Sequence, residues 1–363
     1  MPKASDRSSR PGTVANRPAQ SFSPNSIQSL DIENLKDLEH YLRAEEKVGT
    51  QEPFRARSLP GGVSSRVVLV ERPGGEAWVL KQALPKLRVA LDWWSSPERA
   101  QREALAMRYL GELAPPGGIA PLVFEDHANH LLAMAAVPTP HENWKTRLLA
   151  VGPEPRHVRA FGRLLGTIHR RAWGRRVEMG RVFADRTYFE SLRLEPYYLF
   201  VASRDPRAAA FLEDLVDTTR VTARTLVHGD YSPKNILIHD DRLVLVDHEV
   251  VHFGDGAFDV GFAATHLLSK ANHMPDRRAA FAQAAERFWR GYSKALGSVP
   301  WPDHERRAVR HALGCLLARV DGRSPLEYLT EAERRRQREA VLQLMADPPE
   351  TVSDLVPRFV KLV

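Results

Sequence analysis

Cysteine is almost missing: Cys315 is the sole one in 363 residues. A lone thiol excludes a disulfide framework within the chain, and no Cys/His group has zinc-ligand spacing, so a reducing, cytoplasmic compartment is expected. Long apolar runs are missing too. No stretch approaches the roughly 20 residues of a membrane helix, and the opening MPKASDRSSRPGTVANRPAQSFSP has no apolar run that could form a signal-peptide core. No G-x-x-x-x-G-K-S/T phosphate loop occurs. Basic patches interleaved with aromatics are also lacking, although the formal net charge is +7 and the pI near 9.6. Lys3, Arg7, Arg10 and Arg17 outnumber Asp6 in the opening segment. Arg334, Arg335 and Arg336 share a segment with Glu331, Glu333 and Glu339, the pattern of a solvated helix face. Neither nucleic acid nor a membrane is therefore an expected partner. Attraction of a small anionic ligand is use enough for the charge.

What is present is ordinary in bulk, with 43% hydrophobic and 27% charged residues, and long enough for two lobes with their own cores. Residues 1–28 are rich in Ser, Pro, Arg and Asn without apolar period, which predicts a disordered basic tail. Ile32, Leu35, Leu38 and Leu42 recur at helical spacing. Arg66–Glu71 and Ala77–Gln82 read as strands joined through Arg72-Pro73-Gly74-Gly75, a hairpin signal. Ser96-Pro97-Glu98 predicts a helix start with Ser96 as N-cap, and Ala100, Ala104, Met107 and Leu110 its buried stripe. His130–Val137 reads as a strand that stops before Pro138 and Pro140. Helical stripes then dominate, at Val158, Phe161, Leu165 and Ile168, at Phe281, Ala285, Phe288 and Tyr292, and at Val309, Leu313, Leu316 and Val320. The expectation is an α+β, bilobal chain: a small β-rich lobe over 29–137 and a larger helical lobe over 138–363.

The chemistry concentrates in LVHGDYSPKNILIHDDRLVLVDHEVVHFGDGAFDVGF, residues 226–262. Asp230 precedes Asn235 by five residues, a hairpin follows, and Asp247 comes after it. Phosphoryl transfer from ATP needs such a set: a carboxylate to take a hydroxyl proton, and oxygen ligands that hold Mg2+ on the phosphates. Asp230 is the candidate base, and Asn235 and Asp247 are the candidate metal ligands. The turn His239-Asp240-Asp241-Arg242 should bring Asp247 back beside Asn235. If Asp247-His248-Glu249 is extended, Glu249 faces the same side as Asp247 and is a third candidate ligand. Ser232 and Lys234 lie where a transferring phosphoryl group would pass. Asp259, at the start of an apolar helix, is expected to brace the backbone of the catalytic loop.

A cation on the nucleotide phosphates is the next requirement. Lys81 ends a strand where such lysines sit, and Glu103 on the following helix can fix it. Leu59-Pro60-Gly61-Gly62-Val63-Ser64-Ser65 has two glycines but not G-x-G-x-x-G spacing. Gly61, Gly62 and Ser64 are its candidate phosphate contacts. Adenine would be read between Met134 and Val137, with Met134 and Ala136 as candidates.

With these residues assembled, the chain resembles the aminoglycoside phosphotransferase and choline kinase superfamily. HGDxxxxN, the following Asp and the F-D-x-G turn carry the resemblance, which covers about residues 30–345. It implies a protein-kinase-like fold, ATP and Mg2+ as cofactors, and a small-molecule hydroxyl acceptor, with a homodimer compatible with the chain. Within the group the chain is most similar to methylthioribose kinases, through Asp247-x-Glu249 and through Leu80-Lys81-Gln82-Ala83-Leu84-Pro85 with Arg88-Val89. Their paired arginine that holds the sugar corresponds here to Arg319, with Ala318 at the partner position, and they lack the Asn at the position of Asn235. The acceptor therefore stays open between a sugar-like or amino-alcohol metabolite and an antibiotic, and a non-catalytic nucleotide-binding module is the further alternative. Arg319, Ser232 and Tyr197 are the acceptor-side candidates, with Tyr188, Arg193 and Tyr198 in the same segment as Tyr197. The HGD loop lacks the usual Arg, and no APE-type activation segment occurs, which sets a protein kinase aside.

Overall fold

The structure is a computed structural model that describes residues 30–60, 62–89 and 92–363. The expected tail over 1–28 and the candidate Gly61 lie outside the described residues. Helix α1 (Leu35–Ala44) begins at Asn34, whose side chain accepts the Lys36 N–H, and buries Leu38, Tyr41 and Leu42. Ile32 is buried ahead of this cap, while Leu35 is 45% exposed, so the apolar stripe is shorter than its spacing predicts.

Strands β1 (Arg55–Ser58), β2 (Ser65–Glu71), β3 (Ala77–Ala83), β4 (Leu122–Asp126) and β5 (Leu131–Ala135) form one antiparallel sheet. Their order is β1-β2-β3-β5-β4. Register is set by alternation, since Val68, Val70 and Leu80 are buried on one face against α1. Helix α2 (Arg99–Leu113) covers the other face, with Ala104 and Met107 against Leu132 and Met134. It starts at Arg99 rather than at Ser96. The Ser96 hydroxyl accepts the Glu98 N–H at 3.3 Å, which closes a local turn instead of capping a helix.

Beyond the sheet, β6 (Glu142–Asn143), α3 (Trp144–Val151), α4 (Pro155–Gly174), α5 (Arg176–Val182) and α6 (Thr187–Phe189) follow in order. A π-helical stretch, Glu190–Leu199, continues α6 and passes into α7 (Phe200–Ala202). Pro196 lies inside it and has no N–H to donate, which suits the wider hydrogen-bond spacing. Next come α8 (Pro206–Val221), β7 (Thr225–Val227), β8 (Ile236–His239), β9 (Arg242–Leu245), β10 (His252–Gly254), α9 (Ala257–His273), α10 (Arg278–Leu296), α11 (His304–Asp321), α12 (Glu331–Ala346) and α13 (Val352–Leu362). The result is a small antiparallel sheet part and a larger helical part.

Strand pairing and helix packing position the stretch 226–262. β8 and β9 pair across Asp240 and Asp241, both with positive φ, and β6 pairs with β8. Helix α4 packs directly on α10: a Cβ on Gly162 would fall 2.3 Å from the Phe288 carbonyl oxygen, and one on Gly166 2.5 Å from that of Tyr292. Such close approach places His169 of α4 within 3.0 Å of the Tyr292 hydroxyl, beneath the catalytic loop. Among the described residues no helix is long and apolar enough to cross a membrane.

Candidate active site

The HGD loop leaves β7 with Gly229 at φ +76°, where a side chain is strained and a Cβ would also meet Val250 Cγ1 at 2.8 Å. Asp259, in the first turn of α9 and fully buried, accepts the N–H of His228 at 2.6 Å and of Gly229 at 2.8 Å. This is the expected bracing role. His169 Nε2 lies 3.3 Å from the same carboxylate and its Nδ1 3.0 Å from Tyr292, whose hydroxyl is 2.7 Å from His304 Nε2. Burial opposes ionisation of Asp259, but His169 and the loop N–H groups outweigh it and hold the carboxyl below its usual range. The loop therefore rests on a buried polar chain that joins four helices, α9, α4, α10 and α11.

Asp230 is held on both oxygens. Asn235 Nδ2 donates to Oδ2 at 2.7 Å and to the Asp230 carbonyl at 3.0 Å. Arg193 lies 3.1 Å from Oδ1, and it also donates to the Gly229 carbonyl at 2.6 Å and the Leu192 carbonyl at 2.7 Å. Because the Asn235 nitrogen faces Asp230, its amide oxygen is the atom left for a cation. Arg193 is among the acceptor-side candidates in the sequence; its contacts are with the catalytic loop instead. Its position in the π-helical stretch turns it toward that loop, which spacing alone does not reveal.

Hairpin β8–β9 brings Val246 N–H to the Asn235 carbonyl at 3.0 Å, so Asp247 returns beside Asn235 as expected. Lys81 Nζ donates to Glu103 at 2.7 and 2.8 Å and to Asp247 Oδ1 at 2.7 Å. Asp247 is not extended, however, since its φ is +69°. This kink turns the next side chain inward, where His248 Nδ1 lies 3.1 Å from His228 Nε2, and the His248 N–H reaches Glu103 at 3.2 Å. Glu249 still arrives on the same side, by the turn rather than by strand alternation. Ligand atoms of Glu103, Asp247 and Glu249 all lie within 4.8 Å of one another.

Sequence pattern does not single out Arg99. It is fully buried, lies 3.0 Å from Glu249, and donates to the carbonyls of Leu84 at 2.7 Å and of Ser64. Spacing offered one signal, because Arg99 stands four residues before Glu103 on the same helix face. Three acids thus share Lys81 and Arg99. Burial works against the Lys81 ammonium, but Asp247, Glu103 and Glu249 raise it above its ordinary value. Burial also acts on Asp247, where Lys81 and Lys234 prevail and hold it well down. Glu103 goes the other way: burial, aided by Asp247 and Glu249, outweighs Lys81 and pushes it up to about 7.

Among the phosphate-loop candidates, Gly62 packs so tightly that a Cβ would fall 2.2 Å from the Ser65 carbonyl oxygen. The Ser64 carbonyl is spent on Arg99 and on Leu84 N–H, which ties the loop to the acid cluster. Met134 is buried in β5, and the Ala136 N–H is committed to the Ala77 carbonyl at 2.8 Å. Of the acceptor-side candidates, Ser232 is buried in the catalytic loop and its carbonyl accepts the Asn235 N–H at 3.0 Å. Arg319 donates to the Tyr197 hydroxyl at 3.1 Å, and the Arg193 and Arg319 guanidiniums lie 5.7 and 5.8 Å from the Tyr197 ring. A continuous path Arg319–Tyr197–Arg193–Asp230 results. Tyr198 lies apart, buried against His311 and Cys315, and Tyr188 packs on the helical core.

Residues 55–308 match the family described as the phosphotransferase enzyme family, APH. A curated relative, methylthioribose kinase 2 of Oryza sativa subsp. japonica, is 27% identical over 218 residues, 52% of this chain and 51% of that protein. The chain spans about half the length of the curated relative it matches. Among solved structures, a choline/ethanolamine kinase family protein from Mesorhizobium loti superposes with a TM-score of 0.53 at 16% identity, covering 90% of this chain and 99% of that one. The amicoumacin kinase hAmiN, in complex with AMP-PNP and Ca2+, gives 0.54 at 15% identity, covering 87% and 97%. At such identities these structures establish the likeness of fold.

Proposed function

Because the chain belongs to the phosphotransferase enzyme family, we propose that it moves the γ-phosphoryl group of ATP to a hydroxyl of a small sugar-like or amino-alcohol molecule. The observation that carries this reading is the convergence on one place of Lys81, Glu103 and Asp247, with Lys81 Nζ 2.7 Å from both acids, at the end of the hairpin that begins at Asn235 and Asp230.

In this reading Asp230 takes the proton of the acceptor hydroxyl as its oxygen bonds the γ-phosphorus, the bond to the bridging oxygen breaks, and ADP leaves. Arg193 and Asn235 hold the carboxylate oriented, so little reorganisation precedes transfer. Lys81, fixed by Glu103, serves the α- and β-phosphates. Gly62 and Ser64 are the described residues proposed to approach the phosphates, and the segment Met134–Val137, including Ala136, is proposed to border adenine. The carboxylate oxygens gathered at Glu103, Asp247 and Glu249 suit a hard divalent cation, and Asn235 adds an amide oxygen. Asn235, Asp247 and Glu249 would hold Mg2+, which neutralises phosphate charge. The methylthioribose kinase relative supports a sugar-like acceptor, with Arg319, Tyr197 and Ser232 on its side of the cleft. An aminoglycoside is disfavoured, because a polycation would meet Arg193 and Arg319.

The test is Mg2+-dependent phosphorylation across a metabolite library that includes methylthioribose, with products identified by mass. Turnover is expected in the parent protein and lost in Asp230→Ala and Asp247→Ala; full turnover in both variants would overturn the reading.

A further inference from the structure

Next to the acceptor side of the catalytic loop a buried lysine, Lys270, and a buried histidine, His266, lie among the partly buried Lys145 and Arg319; the mechanism above leaves Lys270, His266 and Lys145 unused. Lys270 of α9 is fully buried. Its ammonium has three N–H donors but one hydrogen-bond acceptor, the His266 carbonyl at 3.2 Å, and it lies 5.1 Å from the centre of the Tyr328 ring. Lys145 of α3 lies 5.9 Å from the same ring and pairs with Glu327, an acid 64% exposed on its side chain. His266 Nε2, the Tyr328 hydroxyl and Arg319 Nε are all buried without a hydrogen-bond partner. The group is tied to the reacting centre twice. Arg319 reaches Asp230 through Tyr197 and Arg193, and Asn143, at the start of α3, donates to the Lys234 carbonyl at 2.7 Å.

Buried ammonium groups are normally matched by a carboxylate, because an unpaired charge loses its hydration without compensation. Here burial first, then Lys145, lower Lys270 to about 7, with the exposed Glu327 opposing. Burial and the fields of Arg319, Lys270 and Lys145 likewise keep His266 uncharged. Several unfilled donors and an excess of positive charge in one place describe a site that lacks its anion.

We propose that the acceptor carries, besides its hydroxyl, an anionic group, a carboxylate or a phosphate, that binds among Lys270, His266, Arg319 and Tyr328 and takes the place of Glu327 beside Lys145. This rests on the phosphotransferase reading and narrows it. Neutral sugars and amino alcohols lack the group the site requires.

The full chain is tested with Mg·ATP against gluconate and glycerate, against ribose 5-phosphate, and against ribose, glycerol and ethanolamine, at matched ionic strength. Two readouts are taken: phosphorylated product, and the shift in thermal midpoint that each compound produces. The expected result is that gluconate, glycerate or ribose 5-phosphate raises the midpoint and is turned over in preference to its neutral counterpart; which arm responds separates carboxylate from phosphate. In Lys270→Met and in Arg319→Gln the midpoint shift is lost and the acceptor KM rises tenfold or more, while the KM for ATP stays as in the parent. Lys270→Met without ligand should melt higher than the parent, a gain that loss of a structural contact would not produce. Equal response to the anionic compounds and to ribose, glycerol and ethanolamine, or no shift with any anion, overturns the proposal. A rise in the ATP KM of the variants does so as well. Calorimetry of Mg·ATP on the parent and on Asp247→Ala separates the two levels: absent binding to the parent defeats the phosphotransferase reading itself.

Discussion

In the region proposed to hold the nucleotide Lys81 meets Glu103 and Asp247 at 2.7 Å, and Arg99 meets Glu249 at 3.0 Å. On the acceptor side Lys270 meets one carbonyl at 3.2 Å, and His266 Nε2 meets nothing. The first region is built on β3, α2 and the segment after β9, the second on α3, α9 and α11, and one matches its charges while the other leaves them unmatched. Matched charges hold a geometry before any ligand arrives, which favours orientation of phosphates. Unmatched charges cost stability in the free protein and return it when a ligand of opposite sign fills them.

The largest expected effects lie where the matched side meets the catalytic loop. Asp230→Ala should lower turnover by about 10²–10⁴-fold, the usual range for a general base, with Mg·ATP affinity retained in calorimetry. Next, Asp259→Asn leaves one buried N–H facing an amide and breaks the contact with His169. It should cost about 3 kcal/mol in urea unfolding and lower kcat more than it alters the KM for ATP.

A smaller effect sharpens the contrast through pH. Lys270, held at about 7 in the fold and near 10.4 unfolded, binds a proton between these values only when unfolded. Stability therefore rises with pH through that window and is lost as pH falls toward 7, by at most about 1.4 kcal/mol per unit. Lys145, Arg319 and Glu327 surround the group, and Lys270→Met should flatten this part of the stability–pH curve; an unchanged slope would show that the ammonium is not the buried burden inferred. The smallest is a control. Thr330→Ala removes the capping box of α12 and should cost about 1 kcal/mol, with both sides of the cleft kinetically unaltered.

How much of this was legible in the sequence follows the range of the interactions. Asp230, Asn235 and Asp247 are joined by one hairpin, and Lys81 and Glu103 by one strand-to-helix step, so spacing finds them. Asp259 is legible as a polar anchor because an Asp at a helix start stands beside free backbone N–H groups; that it serves His228 and Gly229 of the loop is decided by packing. Arg99–Glu249 and Arg193–Asp230 are not legible, because packing, not local pattern, brings each pair together across the chain. Strand alternation puts Glu249 on the side of Asp247, but the φ of +69° at Asp247 is what delivers it there. Lys270 and His266 stand in an apolar helix whose stripe hides them, and only their missing partners single them out.

The most direct measurement is mass-resolved transfer of phosphate from Mg·ATP to the library by the parent protein and by Asp230→Ala, side by side. The expected result is one phosphate added to a hydroxylated, negatively charged acceptor by the parent, and the same product formed by the variant about a hundredfold or more slowly. The same product formed at the same rate by both would contradict the assignment of Asp230 as the base, and with it the reading of the cleft.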